Sequence, residues 1–367
     1  MKKIALDEID KRKVLFLVPY PSDQAPSQRF RFEQYLEILL KKNSYSVDSF
    51  ISSEDWKTLY QTSTFFKKLW IILKGLSKRA FILFQLHKFS FIFIHREILP
   101  IGPPVFEFMI AKIFRKRIIY DFDDAIWLTD KSFEPIVESW IKCRWKVGLI
   151  CKWSYKISCG NLYLANYARK FNKQVIINPT TINTISVPKF TSTQHLSSEK
   201  LIIGWTGSHS TLKYLKLLEP VLLEIEKKYP HITFKVIADK PPELLLTKLE
   251  FCVWRKESEI DDLSEISIGI MPLPDDEWTK GKCGFKALQY MALGIPTIAA
   301  AVGVNTSIIN NGVNGYVCTS HQEWLIALED LINSPQKRKE FGAAGRETVE
   351  LNYSVKSNEA NFLSLFS

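Results

Sequence analysis

The chain has 367 residues, of which 46% are hydrophobic, 13% aromatic and 24% charged. That is more than one ordinary domain holds, ample for two buried cores, and far from the composition of a disordered chain. The formal net charge is +10 and unevenly placed: residues 1–180 carry 30 Lys and Arg against 17 Asp and Glu, and residues 181–367 carry 19 against 22. The first half is therefore expected to meet something anionic, whether nucleic acid, an acidic membrane or a phosphorylated substrate.

In chain order, residues 1–13 are charged throughout and lack the apolar stretch of a secretory leader. The spacing predicts strands over 14–18, 91–95, 117–121 and 174–177, with segments of helical period between them, such as 29–41 and 103–114. The greasiest region, 65–94, is interrupted by Lys67, Lys68, Lys74, Lys78, Arg79 and Lys88. It holds no uncharged run near the roughly 18–20 residues a spanning helix needs, so a cytoplasmic protein, soluble or peripheral on the inner face of the cell membrane, is expected. Residues 178–200, with Pro179, Pro188 and a Ser/Thr cluster, read as a connection.

The pattern then restarts. Strands are predicted over 201–205, 232–237, 251–254, 266–271 and 296–300, helices over 210–229 (bent at Pro220) and 285–293, and three helical segments after Ser320. Strands alternating with helices imply an α/β class with two doubly wound parallel sheets facing a cleft, the default ligand site. The expected domains are 1–180, a linker 181–200, a second domain 201–350, and a C-terminal helix 351–367 packing back toward the first. Six cysteines without a C-x-x-C pair read as buried or free thiols in a reducing compartment.

Several clusters carry chemistry. In 202–213 a strand runs into Thr206-Gly207-Ser208 and a helix opens near Lys213. Gly207 lets backbone N–H groups approach a ligand, and a helix N-terminus favours an anion; the same residues also fit an ordinary capped turn. In 280–296, Lys280, Lys282 and Lys286 with Gly281 and Gly284 gather at the start of a helix, a phosphate cradle in type, or else a solvated basic turn. Asp121, Asp123 and Asp124 follow a strand. They suit a divalent metal, a sugar hydroxyl, or simple helix capping. His95-Arg96-Glu97 also ends a strand, as a ligand-facing group or a structural ion pair. Arg29 and Arg31 stand two apart with forks suited to phosphate, or lie on the solvated face of a helix. Residues 65–86 mix aromatics with five cations, fitting either an interfacial membrane helix or a core helix with snorkelling lysines.

Gly284-Phe285-Lys286 through Met291-Ala292-Leu293-Gly294-Ile295-Pro296 resembles the donor-binding segment of family 4 glycosyltransferases. So do Val302-Gly303-Val304-Asn305 and Asn311-Gly312-Val313-Asn314-Gly315-Tyr316. Residues 14–21 with Ser27-Gln28-Arg29-Phe30-Arg31, and Tyr120-Asp121-Phe122-Asp123-Asp124-Ala125-Ile126-Trp127, resemble signatures of one subgroup. The resemblance covers nearly the whole chain. It implies a GT-B fold of two Rossmann-like domains, retaining sugar transfer without an obligatory metal or other cofactor, an acceptor bound by the first domain and a nucleotide sugar by the second. On it, the donor-binding residues are Gly207, Ser208, Lys213, Lys282, Gly284, Phe285 and Gln289. Asp121, Asp124 and Lys286 are catalytic, and Arg29, Arg31 and Arg96 bind a saccharide or lipid-linked acceptor of cell-envelope polysaccharide synthesis.

The chain departs from the family in one place. Where the family carries two glutamates with seven residues between them, Gly281 and Gln289 stand here. A glutamate accepts two ribose hydroxyl hydrogens as an anion, whereas Gln289 offers one neutral amide oxygen. Three other classes stay open: a silent GT-B subunit supporting a partner enzyme, a sugar-nucleotide epimerase on the same fold, and a nucleic-acid binder. Against the last, the basic residues interleave with aliphatics and no nucleic-acid-binding motif is present, so no nucleic acid is expected as partner.

Overall fold

The computed structural model describes residues 12–60, 64–130, 135–187 and 201–367. The chain divides into two compact units, one of residues 1–179 with Glu359–Ser367 and one of Thr180–Asn358.

The first unit is built on six parallel strands: β1 Lys13–Val18, β2 Ser44–Ser49, β3 Phe91–His95, β4 Arg117–Phe122, β5 Lys156–Cys159 and β6 Val175–Ile177, in the order β2-β1-β3-β4-β5-β6. The central strands are covered on both faces by helices, so Val14–Val18 and Phe91–His95 are buried without alternation, as parallel strands are. The second unit repeats the plan with β7 Leu201–Thr206, β8 Ile232–Ala238, β9 Leu249–Val253, β10 Ile268–Met271, β11 Thr297–Ala300 and β12 Tyr316–Cys318, ordered β12-β11-β10-β7-β8-β9. In each sheet the strand order reverses beside the first strand, at β1/β3 and at β7/β10. The crevice outside the carboxyl ends at such a reversal is where doubly wound sheets hold ligands.

Three strands were not legible in the sequence. β2 (SYSVDS) is a half-buried edge strand with polar alternation, and β5 (KISC) and β12 (YVC) are too short for a period to emerge. The helix expected over 29–41 is three pieces, Pro26–Arg29, a 3₁₀ turn Glu33–Tyr35 and Leu36–Leu40. The break serves Phe32, which is buried and stacks on Phe16 of β1 at 5.2 Å between ring centroids. The helix Lys213–Lys228 continues through Pro220. Part of the expected linker, 188–200, lies outside the described residues. Among the described residues no helix is long and apolar enough to cross a membrane.

The last nine residues return to the first unit through aromatic contacts. Phe362 stacks on Tyr35 with centroids 4.3 Å apart, and Phe366 meets Phe91 edge-on at 6.0 Å. Polar bonds fix the register: Asn361 Nδ2 donates to the Ile177 carbonyl at 2.9 Å and Lys156 Nζ to that of Ser364 at 2.6 Å. Phe362 and Phe366 are buried, so this tail is part of the core. Phe362→Ala is expected to lower stability by about 3–5 kcal/mol, as aromatic truncation in a close-packed core does. A denaturant midpoint shifted by less than about 1 kcal/mol would show the tail to be dispensable.

Candidate functional site

In the second unit, chemistry gathers where β7 and β10 end. Gly204 and Gly269 stand opposite each other on those strands, each leaving room for a neighbour. A Cβ on Gly269 would come 2.5 Å from the Tyr290 ring, so the helix Phe285–Ala292 settles closely on β10. Tyr290 is buried, and its Oη accepts a hydrogen bond from the Thr206 N–H at 2.9 Å. Burial raises its pKa, so the phenol stays protonated. This bond ties the end of β7 to the helix.

The helix begins at Gly284, whose backbone is left-handed (φ +68°). A Cβ there would also come 2.3 Å from the tip of the Ile308 side chain, but it is the left-handed backbone that favours glycine. The first helical turn holds no acid, and its N–H groups with the positive end of the dipole form an anion site in type. Lys286 Nζ lies 5.3 Å from the centroid of Trp205 on β7, and Lys282 Nζ lies 5.0 Å from that of Trp278. Stacking on an indole face fixes the position of an ammonium. Lys280 is turned away, paired with Glu277 at 2.8 Å.

Across from it, Gly207 is required because a Cβ would meet Trp205 at 2.4 Å. Its N–H bonds the Ile237 carbonyl at 3.0 Å. Ser208 does not cap a helix with its side chain as the sequence suggested. Its Oγ meets Ser210 Oγ at 2.9 Å, and its carbonyl accepts from Thr211. Asp239 takes that place, binding the His209 N–H at 2.6 Å and Nδ1 at 2.5 Å. Lys213 lies over the Tyr214 ring at 5.5 Å. Phe285 is the half-buried first residue of the helix. Gln289 is buried, and its Nε2 donates to Glu259 Oε1 at 3.3 Å, as does Trp254 Nε1 at 3.2 Å. Glu259 therefore supplies a carboxylate beside the position where the family's glutamate is missing. Only folding brings residues 30 apart together, so the sequence offered no signal for it.

In the first unit, strand register assembles a polar cluster at the sheet's carboxyl edge. His95, Asp121 and Ser158 pair directly across β3, β4 and β5. Asp121 accepts from His95 Nδ1 at 2.8 Å and Ser158 Oγ at 2.6 Å and forms an ion pair with Arg31. Arg31 also donates to Ser158 Oγ at 3.1 Å and to the Asn178 carbonyl beyond β6. Burial acts to raise the Asp121 pKa, but the Arg31 guanidinium and the His95 bond outweigh it and hold the carboxyl below its ordinary range. His95 Nε2 is buried without a hydrogen-bond partner.

These contacts correct two expectations. Asp121 and Arg31 have no exposed surface to offer a sugar or phosphate, because a buried charge needs its partners around it. Arg29 does not act with Arg31 on one ligand; it is half-buried, its guanidinium 4.9 Å from the Phe30 ring. Arg96 and Asp124, expected as acceptor-binding and catalytic groups, face each other: Arg96 Nη2 meets Asp124 Oδ2 at 2.6 Å and its Nε meets Asp123 Oδ1 at 2.9 Å. Arg96 keeps partial exposure and a left-handed backbone (φ +60°), a strain that surrounding bonds must hold. One is its N–H to the Asp121 carbonyl at 2.7 Å. Among the described residues, no group of three or more His, Cys, Asp or Glu side chains is arranged to hold a metal ion.

Residues 245–348, which include the Lys282–Lys286 turn, match the family model described as Glycosyl transferases group 1. Spore coat protein SA of Bacillus subtilis is 30% identical over 81 residues, which span 21% of this chain and 22% of that protein. The structure of Anabaena HepE in complex with UDP-glucose is similar over 96% of this chain and 99% of its own, with a TM-score of 0.69 and 15% identity. Sucrose-phosphate synthase from Thermosynechococcus elongatus is similar over 97% and 98%, with a TM-score of 0.67 and 12% identity. A glycosyltransferase from Rickettsia africae is similar over 97% and 98%, with a TM-score of 0.67 and 14% identity. The chain therefore has the GT-B fold of glycosyltransferases. Within the second unit, residues 245–348 are the part similar to the group 1 glycosyl transferases.

The Asp121 cluster generates a prediction about acid stability. A carboxyl whose folded pKa is depressed contributes stability that is full above its unfolded pKa of about 4 and is lost as pH falls below that value. Asp121→Asn leaves Arg31 buried without its counter-charge and is expected to cost about 3–5 kcal/mol at pH 7. The gap from the native chain should narrow below about pH 4. Urea unfolding at pH 7 and at lower pH checks this, and a gap independent of pH would contradict it.

Proposed function

We propose that this chain transfers a sugar from a nucleotide-sugar donor, held by its second unit, to a saccharide or lipid-linked acceptor recognised by its first. We read it as a retaining family 4 type enzyme of bacterial cell-envelope polysaccharide synthesis, working peripherally at the inner face of the cell membrane. The observation that carries the reading is the left-handed Gly284 opening an acid-free helix N-terminus between Lys282 and Lys286, at the carboxyl end of the β7/β10 reversal. The UDP-glucose bound by the structurally similar HepE supports a nucleotide diphosphate sugar as donor.

The chemistry follows from charge. As the bond between sugar and diphosphate breaks, negative charge gathers on the departing phosphate oxygens. Backbone N–H groups and lysines already in place stabilise that charge without reorganising. Lys286, held against Trp205, is the cation we assign to this role, with Lys282 and the turn at Gly207 and Ser208 completing the cradle. The transfer is proposed to need no metal, because Asp121, Asp123 and Asp124 are engaged by Arg31, His95 and Arg96. A second reading, a subunit that binds nucleotide without turnover, is favoured by Gly281 and Gln289 at the positions of the paired glutamates.

Lys282→Ala and Lys286→Ala are each expected to weaken UDP binding by about 1–3 kcal/mol, the loss of a charge-assisted contact, with little change in stability without nucleotide. Titration calorimetry checks this, and unchanged affinity in both would refute the cradle. Sugar transfer from a panel of nucleotide sugars should persist in EDTA; complete loss restored by magnesium or manganese would return the aspartates to the role of ligands. Nucleotide binding without turnover on any donor would select the second reading.

A further inference from the structure

We infer that the outer face of the helix Phe65–Leu83 is the surface by which this protein lies on an anionic lipid bilayer. The inference deepens the proposed work at a membrane and rests on it for the biological setting, but it is argued from this helix alone.

The helix has two apolar faces where one would suffice. Its inner face is fixed to the first unit. Gly75 lies so close to Phe50 that a Cβ would come within 2.4 Å of the ring. Ile71 and Leu83 are buried, and buried Arg79 is ion-paired with Asp48 while donating to the Val18 carbonyl at 2.8 Å. A helix packed in this way normally presents polar residues to water on the opposite side. Here the opposite side presents Phe66, Trp70, Leu73, Phe81 and Phe84, at three- and four-residue steps that keep them in one stripe around Ser77 and Ala80. Phe66 is 79% exposed, Trp70 67%, Phe81 64% and Phe84 78%. A contiguous exposed apolar stripe of this kind marks an interaction surface. The side chain of Phe65, which the sequence grouped with these aromatics, lies outside the described residues.

Charge selects the occupant. The helix contains Lys67, Lys68, Lys74, Lys78 and Arg79 and no acid. Lys74 and Lys78 are tethered to Asp55 and Asp48, each at 2.9 Å. Lys67, exposed in the first turn at the edge of the aromatic stripe, is the cation placed to meet lipid phosphates. A second copy docked symmetrically would bring the cations of both helices together with no acid on the helix to offset them. An anionic bilayer accepts aromatics below its headgroups and lysines among them, the arrangement of an interfacial amphipathic helix. With 19 residues and charge throughout, the helix lies in the plane of the membrane and does not span it.

The test uses the full chain in co-sedimentation with phosphatidylglycerol-containing vesicles and with phosphatidylcholine vesicles, at about 0.1 M and about 1 M salt, where the screening length falls from about 10 Å to about 3 Å. Binding should favour the anionic vesicles and weaken in high salt. The variants Trp70→Ala with Phe81→Ala, and separately Lys67→Glu, should each reduce it at least tenfold. All three side chains are exposed, so thermal unfolding and UDP affinity should be unchanged. Equal and salt-insensitive binding to both vesicle types, binding to neither, or variants that bind like the native chain would each overturn the inference. Concentration-dependent dimerisation abolished by Trp70→Ala would also overturn it, in favour of a second copy. Failure of UDP to bind the native chain would sink the donor reading while leaving this surface untouched.

Discussion

The ion pair between Arg31 and Asp121 is the contact on which the carboxyl edge of the first sheet depends. Neither charge reaches water, and an isolated buried charge is costly enough that one would not persist without the other. Arg31 arrives from the segment after β1, Asp121 sits on β4, Ser158 on β5, and Asn178 follows β6. One guanidinium thus joins four parts of the chain that lie far apart in sequence. Its planar fork suits this, since several donors with fixed directions meet partners that strand register has already aligned. The Arg96 backbone, bonded to Asp121 through its N–H, takes its strained conformation from the same frame. Arg96 in turn orients Asp123 and Asp124.

The second unit solves a different problem with different means. Its carboxyl edge holds no buried ion pair of this kind among the described residues. Instead glycines remove bulk, at Gly204 and Gly269 between strands and at Gly284 where the helix begins. Aromatic rings then fill the space and set distances: Tyr290 bonds Thr206, and Trp205 and Trp278 carry Lys286 and Lys282 on their faces. The result is an edge built from backbone N–H groups and cations, suited to an anion of several oxygens. The first unit's edge is arginine and carboxylate already satisfied by each other, suited to shape and hydrogen bonding more than to net charge.

Much of the fold was legible because parallel strands buried on both faces read as unbroken apolar runs. Val14–Val18, Phe91–His95 and Leu201–Thr206 needed no alternation to be recognised, and the restart after residue 200 marked a second sheet. Edge strands were another matter. β2 alternates polar residues and β12 has three residues, and neither differs from a loop until a neighbour pairs with it. The return of Glu359–Ser367 to the first unit rests on Phe362 and Phe366 finding Tyr35 and Phe91.

The sequence by itself determined the two α/β sheets and the lysine- and glycine-rich turn before Phe285, because glycine, lysine and strand periodicity act through local backbone geometry. It also placed aromatics and cations together in residues 65–84. Only the tertiary structure decided which of these faces water. It buried Arg31 and Asp121, paired Arg96 with Asp123 and Asp124, and turned Gln289 toward Glu259. It set Ile71 and Gly75 against the core while leaving Phe66, Trp70 and Phe84 exposed. The reason is that charge and hydrophobicity are properties of a residue, whereas exposure and pairing belong to contacts across strands and helices, and no spacing along the chain encodes those.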